Sequence, residues 1–157
     1  MSVQQALSRS VIFGDLPAPQ LDLLSRLMVE RAVRKGEVLV REGERVHPVG
    51  DALFLVVEGH VDVMRADRAH RGEGPLSVLG PGDVFGVASL IDDSPRAASC
   101  IAADRGTIAC LARRTLDALV HSDLELAARV EHALARQLAR DLRVFDRRLQ
   151  RANAQRS

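Results

Sequence analysis

The sequence predicts a mainly β fold flanked by helices, and three features of the 157-residue chain indicate it. Between residues 31 and 111, short runs rich in Val, Leu and Ile are broken repeatedly by Gly, Pro and Asp, a pattern typical of strands joined by turns. A segment with an apolar helical stripe precedes these runs, and a long segment without Gly or Pro follows them. We therefore expect a β-sandwich or barrel between two helical regions.

The composition is that of one globular domain, with 46% hydrophobic and 27% charged residues. Trp and Tyr are absent, so nucleic-acid bases would find few aromatic platforms on which to stack. The first fifteen residues lack the basic start and continuous apolar run of a signal peptide, and no later stretch approaches the about 18 apolar residues of a transmembrane helix. We therefore expect a cytoplasmic protein without membrane contact.

The N-terminal helix is predicted within residues 11–30, where "PAPQLDLLSRLMVE" places four apolar side chains on one helical face: Leu21, Leu24, Leu27 and Met28. Strands are predicted in "EVLVREGE", "ALFLVVEG", "HVDVMR", "LSVLGPGDVFG", "AASCIAAD" and "TIACLAR". The run "ALFLVV" is continuously apolar, which indicates a strand covered on both faces. These runs assign residues 31–112 to the β region.

Residues 113–153 are predicted to be helical, with Ser122 or Asp123 as the N-cap of a helix about 45 Å long. Such a helix is longer than a small barrel is wide. Its apolar residues alternate by four and three, as in a coiled coil: Leu138, Leu142, Phe145, Leu149 and Ala152. This spacing favours a homodimer over a lone helix folded back along its own domain.

The end of the chain is basic, with eight arginines against three carboxylates from Arg129 onward. A solvated helix face crossed by Asp/Arg pairs is favoured over a patch for nucleic acid or membrane.

Cys100 and Cys110 do not have the spacing of zinc ligands, and a disulfide would be unusual in the cytoplasm. If "ADRG" turned a hairpin, the two residues could face each other across it. We interpret both as small buried apolar residues.

Gly86 and Arg96 flank the short apolar stretch "VASLID", which can form one helical turn. Glycine allows a tight turn, while free helical N–H groups and a planar guanidinium both suit phosphate oxygens. The small residues Ala97, Ala98 and Ser99 leave room for a ligand against the next strand. This segment predicts a site for a small anion.

Several motifs together resemble the cyclic nucleotide-binding domain family. "KGEVLVREGE" is similar to the family's first glycine turn, "DALFLVVEGHVDV" to its central strand pair, and "LGPGDVFG" to the approach to its phosphate cassette. The resemblance covers residues 13–142. It implies an eight-stranded β-roll, or double-stranded β-helix, with an N-terminal helix, a cassette at residues 85–99 and a long C-terminal helix, in one domain over residues 1–157.

The resemblance also implies roles for residues of the cassette. Gly86, Arg96 and Ala98 match the positions that hold the cyclic phosphate, and Val87, Ala88 and Ser99 match the positions near ribose and base. Val87 departs from the family, which usually has Glu there to accept a hydrogen bond from the ribose 2′-hydroxyl. Losing that bond weakens binding by about 1.5 to 3 kcal/mol.

A replacement acceptor for the ribose hydroxyl would have to come from nearby residues. The candidates are Ser89, Asp92 and Asp93.

The expected function is a non-enzymatic receptor for cAMP or cGMP, weakened by Val87, with no other cofactor. The alternative is a ligand-free dimeric scaffold that binds an unknown protein partner. The five histidines lack the spacing of a metal-dependent enzyme on a similar β fold. No helix-turn-helix follows the long helix, so we expect no direct DNA binding.

Overall fold

The structure is a computed structural model that describes residues 1–45, 51–91 and 95–156. In this part the chain forms two antiparallel four-stranded sheets, with helices before, between and after the strands. The helices are α1 (Val3–Arg9), α2 (Ala18–Leu27), α3 (Ala66–His70), α4 (Val87–Ile91), α5 (Arg113–Ser122) and α6 (Leu124–Arg156). The strands are β1 (Val29–Val33), β2 (Val38–Val40), β3 (Ala52–Glu58), β4 (Val61–Met64), β5 (Ser77–Leu79), β6 (Val84–Phe85), β7 (Ser99–Ala102) and β8 (Gly106–Ala112).

The sheets have the strand orders β1-β8-β3-β6 and β2-β7-β4-β5, so successive strands alternate between them except for β4 and β5, which pair within one sheet. This arrangement confirms the eight-stranded β-roll. The apolar runs do not predict β1, because four of its five residues are exposed at the sheet edge. They also merge β5 with β6, which a turn at Gly82 separates, where φ is +93°.

Strand β3 is covered on both faces, as its continuous apolar run predicts. Leu53, Leu55 and Val57 belong to a large core cluster that also contains buried residues of α1, α2, α4, α5 and α6. The alternating residues Phe54 and Val56 face a second cluster between the two sheets. The strand therefore joins the interior of the roll to its helical layer.

The helices partly follow the predicted pattern. Helix α2 buries Leu21 and Leu24 and ends before Met28, and the separate helix α1 precedes it. Helix α6 starts after Asp123, one of the two predicted N-cap residues. A carboxylate oxygen of Asp123 accepts a hydrogen bond from the Leu126 N–H at 3.1 Å, as an N-cap does. None of the helices in the described part of the chain is apolar over enough residues to span a membrane.

The two cysteines do not face each other across a hairpin. Strand β7 pairs with β2 and β4, whereas β8 pairs with β1 and β3, so "ADRG" connects two sheets. Cys100 is buried and Cys110 is half-buried, and both are free thiols that contribute to the core between the sheets. The interpretation as a small buried apolar residue is confirmed for Cys100, whereas Cys110 is only partly buried.

Candidate ligand-binding site

Gly86 makes the turn between β6 and α4. Its φ is +82°, in the left-handed region that favours glycine. A Cβ at this position would lie 3.1 Å from each of three atoms: the Ala52 carbonyl oxygen, the Phe54 ring carbon Cδ2 and the Arg96 Nη1. Glycine is therefore needed both for the backbone conformation and for the close approach of the Arg96 guanidinium.

Arg96 is tied to this turn through its side chain and to another loop through its backbone. Its N–H donates to the Glu44 carbonyl at 2.9 Å, and its carbonyl accepts from the Gly43 N–H at 2.8 Å. Nη1 donates to the Gly86 carbonyl at 3.3 Å, and Nη2 donates to Asp51 Oδ1 at 3.1 Å. The guanidinium is thus fixed in position.

The Arg96 side chain is 93% buried, since only 7% of it is exposed. Nε is also buried and has no hydrogen-bond partner among the described residues. Burial lowers the pKa of the guanidinium below its ordinary value, and the charge of Asp51 opposes this shift. A buried N–H without an acceptor is unfavourable, so this atom is the position at which an anion would be most stabilising.

Asp51 and Arg113 extend the site, and neither is among the site residues predicted from the sequence. Asp51 is 3% exposed and lies between two guanidiniums, because Arg113 Nη2 is 3.7 Å from its Oδ2. The Arg113 side chain also donates to the Leu90 carbonyl in α4, and its backbone N–H donates to the Asp51 carbonyl at 3.0 Å. This triad, Arg96, Asp51 and Arg113, connects the cassette with the start of α5.

Of these two residues, only Asp51 could have been singled out from the sequence. It is a carboxylate directly before the continuous apolar strand β3, where a charge is stable only if it is paired. Arg113 gives no such signal, because it is one of 21 arginines in the chain. Only the folding of β3 against β8 brings the two residues together.

The predicted ribose and base residues lie in different environments. Val87 is 2% exposed and belongs to the core cluster that contains the helices, whereas Ala88 is exposed on α4. Ser99 is half-buried, and its Oγ accepts a hydrogen bond from the Glu42 N–H at 2.9 Å, which leaves its own O–H available to donate. Ala98 is half-buried beside it. Among these four residues, only Ser99 offers a side-chain polar group to a ligand.

The proposed substitutes for the missing glutamate lie outside the described residues. This applies to Asp92 and Asp93 and to the side chain of Ser89. In the described part of the chain, no cluster of His, Cys, Asp and Glu could hold a metal ion. The guanidinium of Arg96 and the hydroxyl of Ser99 are groups that suit an anion.

Comparisons with known proteins show which family the sequence resembles. Residues 30–123 match the family model of the cyclic nucleotide-binding domain. The cyclic AMP receptor protein of Thermus thermophilus is 36% identical over 87% of this chain and 59% of its own length. The cAMP-dependent protein kinase regulatory subunit of Eremothecium gossypii is 29% identical over 72% of this chain and 22% of its own length. The chain thus spans less than two thirds of either relative.

A solved structure extends the similarity over almost the whole chain. The crystal structure of a cyclic nucleotide-binding domain from Methylobacillus flagellatus has a TM-score of 0.77 and 29% sequence identity, covering 95% of this chain and 82% of that one. The family model matches more than half of the chain, and the fold and motif order agree with it. The chain therefore belongs to the cyclic nucleotide-binding domain family.

Proposed function

We propose that the chain is a non-catalytic receptor for a cyclic nucleotide, cAMP or cGMP, with Arg96 as the residue that holds the cyclic phosphate. The observation that carries this proposal is the Arg96 Nε–H, which is buried and has no acceptor among the described residues. A phosphate oxygen would supply that acceptor through a charge-assisted hydrogen bond. The negative charge of that oxygen would also stabilise the positive charge of the guanidinium, which has lost its contact with water on burial.

The neighbouring groups support the same placement of the ligand. Asp51 and the Gly86 carbonyl hold Nη2 and Nη1, so Arg96 is oriented before an anion arrives. The Ser99 hydroxyl donates to the base, and the backbone of Ala98 contacts the phosphate. Val87 offers the ribose no acceptor, so we propose an affinity lower by about 1.5 to 3 kcal/mol than that of a family member whose glutamate reaches the ribose.

Arg113 connects the predicted ligand site with the helices. It donates to the last turn of α4 and lies beside Asp51, which in turn holds Arg96. Helix α4 also packs against α6. We propose that a bound phosphate shifts the balance of contacts in this triad and thereby the position of α5 and α6, so that the ligand selects one of two helix arrangements.

Titration calorimetry with cAMP and with cGMP tests the proposal. The wild type and Arg105→Gln, in which an exposed arginine loses the same charge, are expected to bind with the same affinity. Arg96→Gln is expected to lose binding, while a thermal melt verifies that it is folded. If neither nucleotide produces heat at millimolar concentration, or if Arg96→Gln binds like the wild type, the proposal is wrong.

A second candidate function is a ligand-free dimeric scaffold for a protein partner. One observation favours it: Asp51 already compensates the charge of Arg96 without any ligand. In this case Arg96 has a purely structural role. The same calorimetric series distinguishes the two functions, because a scaffold gives no saturable heat although Arg96→Gln still lowers the melting temperature.

We also propose that α6 forms a homodimer through its apolar seam. Leu142 and Leu149 are 63% and 53% exposed, whereas Leu126, Val130 and Leu134 of the same helix are buried in the domain. Light scattering coupled to size exclusion tests this for Leu142→Gln/Leu149→Gln. The matched control is Val78→Gln/Leu124→Gln, which removes two similarly exposed apolar side chains outside the seam. A dimer that dissociates only in the first variant supports the seam, and a monomeric wild type contradicts it.

A further inference from the structure

The second half of α6 carries a row of arginines on one side. At about 100° per residue, the residues Arg136, Arg140, Arg143, Arg147 and Arg151 fall within about 80° of the helix circumference and span about 22 Å along its axis. We call this set the arginine face. The apolar residues Leu138, Leu142 and Leu149 lie on the opposite side of the same helix.

Among the described residues, it is the first member of the arginine face that forms hydrogen bonds to the rest of the domain. Arg136 Nη1 lies 3.5 Å from Asp15 Oδ2, and its Nη2 donates to the Val11 carbonyl at 3.4 Å. The other four residues are exposed. Within residues 1–45, 51–91 and 95–156, Arg143, Arg147 and Arg151 form neither an ion pair nor a hydrogen bond.

The spacing of these charges is unfavourable for the isolated helix. Successive members of the face are three or four residues apart, and like charges at that spacing destabilise a helix by about 0.2 to 0.5 kcal/mol per pair. A solvated face crossed by Asp/Arg pairs, the favoured interpretation of the sequence, would avoid this repulsion. That pattern holds for Arg129, which is 3.3 Å from Glu125, and for Arg136, which is 3.5 Å from Asp15. Among the described residues it does not extend to the rest of the arginine face.

We propose that the arginine face is a docking surface for an acidic helix of a protein partner, with Asp or Glu every three or four residues. Both helices would then present complementary charges with the same period along a straight contact. The contact between Arg136 and the carboxylate of Asp15 shows this pairing within the chain.

Two other polyanions fit the geometry less well. A helix adsorbed on a bilayer buries its apolar face, and the arginine face would then point away from the headgroups into water. In duplex DNA the phosphate backbone winds around the helix axis, whereas the arginine face is straight. The arginines would therefore contact phosphates only at the points where their row crosses the backbone. Both remain as distinct outcomes of the test.

The proposed docking surface does not depend on the nucleotide site or on the dimer. The apolar seam lies on the opposite side of α6, so pairing of two chains through that seam leaves the arginine face open. The test contains no nucleotide, and its failure would leave the proposed receptor function untouched.

Fluorescence anisotropy with labelled peptides at low ionic strength tests the proposal. One probe is an alanine-based helical peptide with glutamates on a single face at the three- and four-residue spacing. A second peptide has the same composition with the glutamates distributed around the helix. The key variant is Arg143→Gln/Arg147→Gln/Arg151→Gln, since Gln retains helix propensity. The matched control is Arg9→Gln/Arg34→Gln/Arg105→Gln, which removes three exposed charges elsewhere.

We expect the wild type and the control to bind the single-face peptide at least about tenfold more tightly than the key variant does. The distributed peptide should bind the wild type weakly. Equal binding of the two peptides, or equal losses in both triple variants, would mean unspecific attraction and overturn the proposal. Tighter binding of duplex DNA or of phosphatidylserine vesicles, abolished in the key variant, would overturn it in favour of that polyanion.

Discussion

Arg96 and Asp51 form a buried ion pair, with Nη2 3.1 Å from Oδ1 and with 7% and 3% of the two side chains exposed. They are 45 residues apart in the sequence. Arg113 approaches the other carboxylate oxygen, so one negative charge stabilises two cations. The carboxylate of Asp51 is therefore central to the structure of the site as well as to its charge.

Asp51→Asn tests this dependence. The amide keeps the size of the side chain and removes the charge, which takes the carboxylate away from the buried Arg96 guanidinium. We expect the free energy of unfolding to fall by about 3 to 5 kcal/mol in urea denaturation. Asp15→Asn is the control, because its pair with Arg136 is exposed and should contribute less than about 1 kcal/mol. Equal effects of the two substitutions would contradict the structure.

Gly86 is needed for its left-handed backbone and for the lack of space beside it, and Gly86→Ala compared with Gly36→Ala distinguishes these two effects. Gly36 also has a left-handed backbone, but a Cβ there would meet no atom within 4 Å. Gly36→Ala should therefore cost only the about 1 to 2 kcal/mol of the left-handed conformation. Gly86→Ala should cost about 1 to 3 kcal/mol more, because the methyl group crowds two neighbouring groups and the Arg96 guanidinium. Denaturation of both variants measures the difference, and equal losses would show that the site has free space.

Val87→Glu places the family's usual residue in this cassette. Val87 lies in the core, so we expect the glutamate to lower the free energy of unfolding by at least about 2 kcal/mol and not to improve nucleotide binding. Ala88→Glu, at the neighbouring exposed position, should leave stability nearly unchanged. Denaturation and calorimetry measure both effects. A tighter complex of Val87→Glu with cAMP would instead place this side chain against the ribose.

We expect the buried thiol of Cys100 to lower the stability of the folded protein in alkaline solution. Burial raises the pKa of its thiol from 9.0 to about 12, so the folded protein keeps this proton at pH values where the unfolded chain loses it. Stability is complete below the unfolded pKa and falls as the pH rises toward the folded value. From pH 8 to 10 the expected loss is about 1.4 kcal/mol.

Cys100→Ala measures this contribution, because the variant should lose less stability than the wild type over the same interval. The chain contains no Tyr, so no phenol titrates in this range. Cys110→Ala, which removes the half-buried thiol, is the comparison and should retain the contribution of Cys100. An unchanged pH dependence in Cys100→Ala would contradict burial of this thiol.

Local features of the sequence predict much of the fold. The unbroken run in β3 indicates burial on both faces, and Asp123 indicates the start of α6. In contrast, β1 consists mostly of exposed residues at a sheet edge and has no local signal. Its position depends on pairing with β8, more than 70 residues away.

The site was only partly predictable, because some of its contacts join residues that are far apart in the sequence. Gly86 and Arg96 stand close together in a recognisable segment, so their proximity follows from the sequence. The contact of Arg96 with Asp51 and Arg113 is a result of tertiary folding, and no spacing rule contains it. The direction of the Val87 side chain depends on how α4 packs on β3 and α6, which the sequence of a five-residue helix does not determine.

The order of the strands bears on how the chain folds during synthesis. Strand β8 pairs with both β1 and β3, yet it is the last strand to be translated. Until residue 112 has left the ribosome, β1 lacks its partner, and β3 exposes apolar side chains on two faces. Because its pairings are long-range, the roll closes late, and until then unpaired apolar strands expose the nascent chain to aggregation.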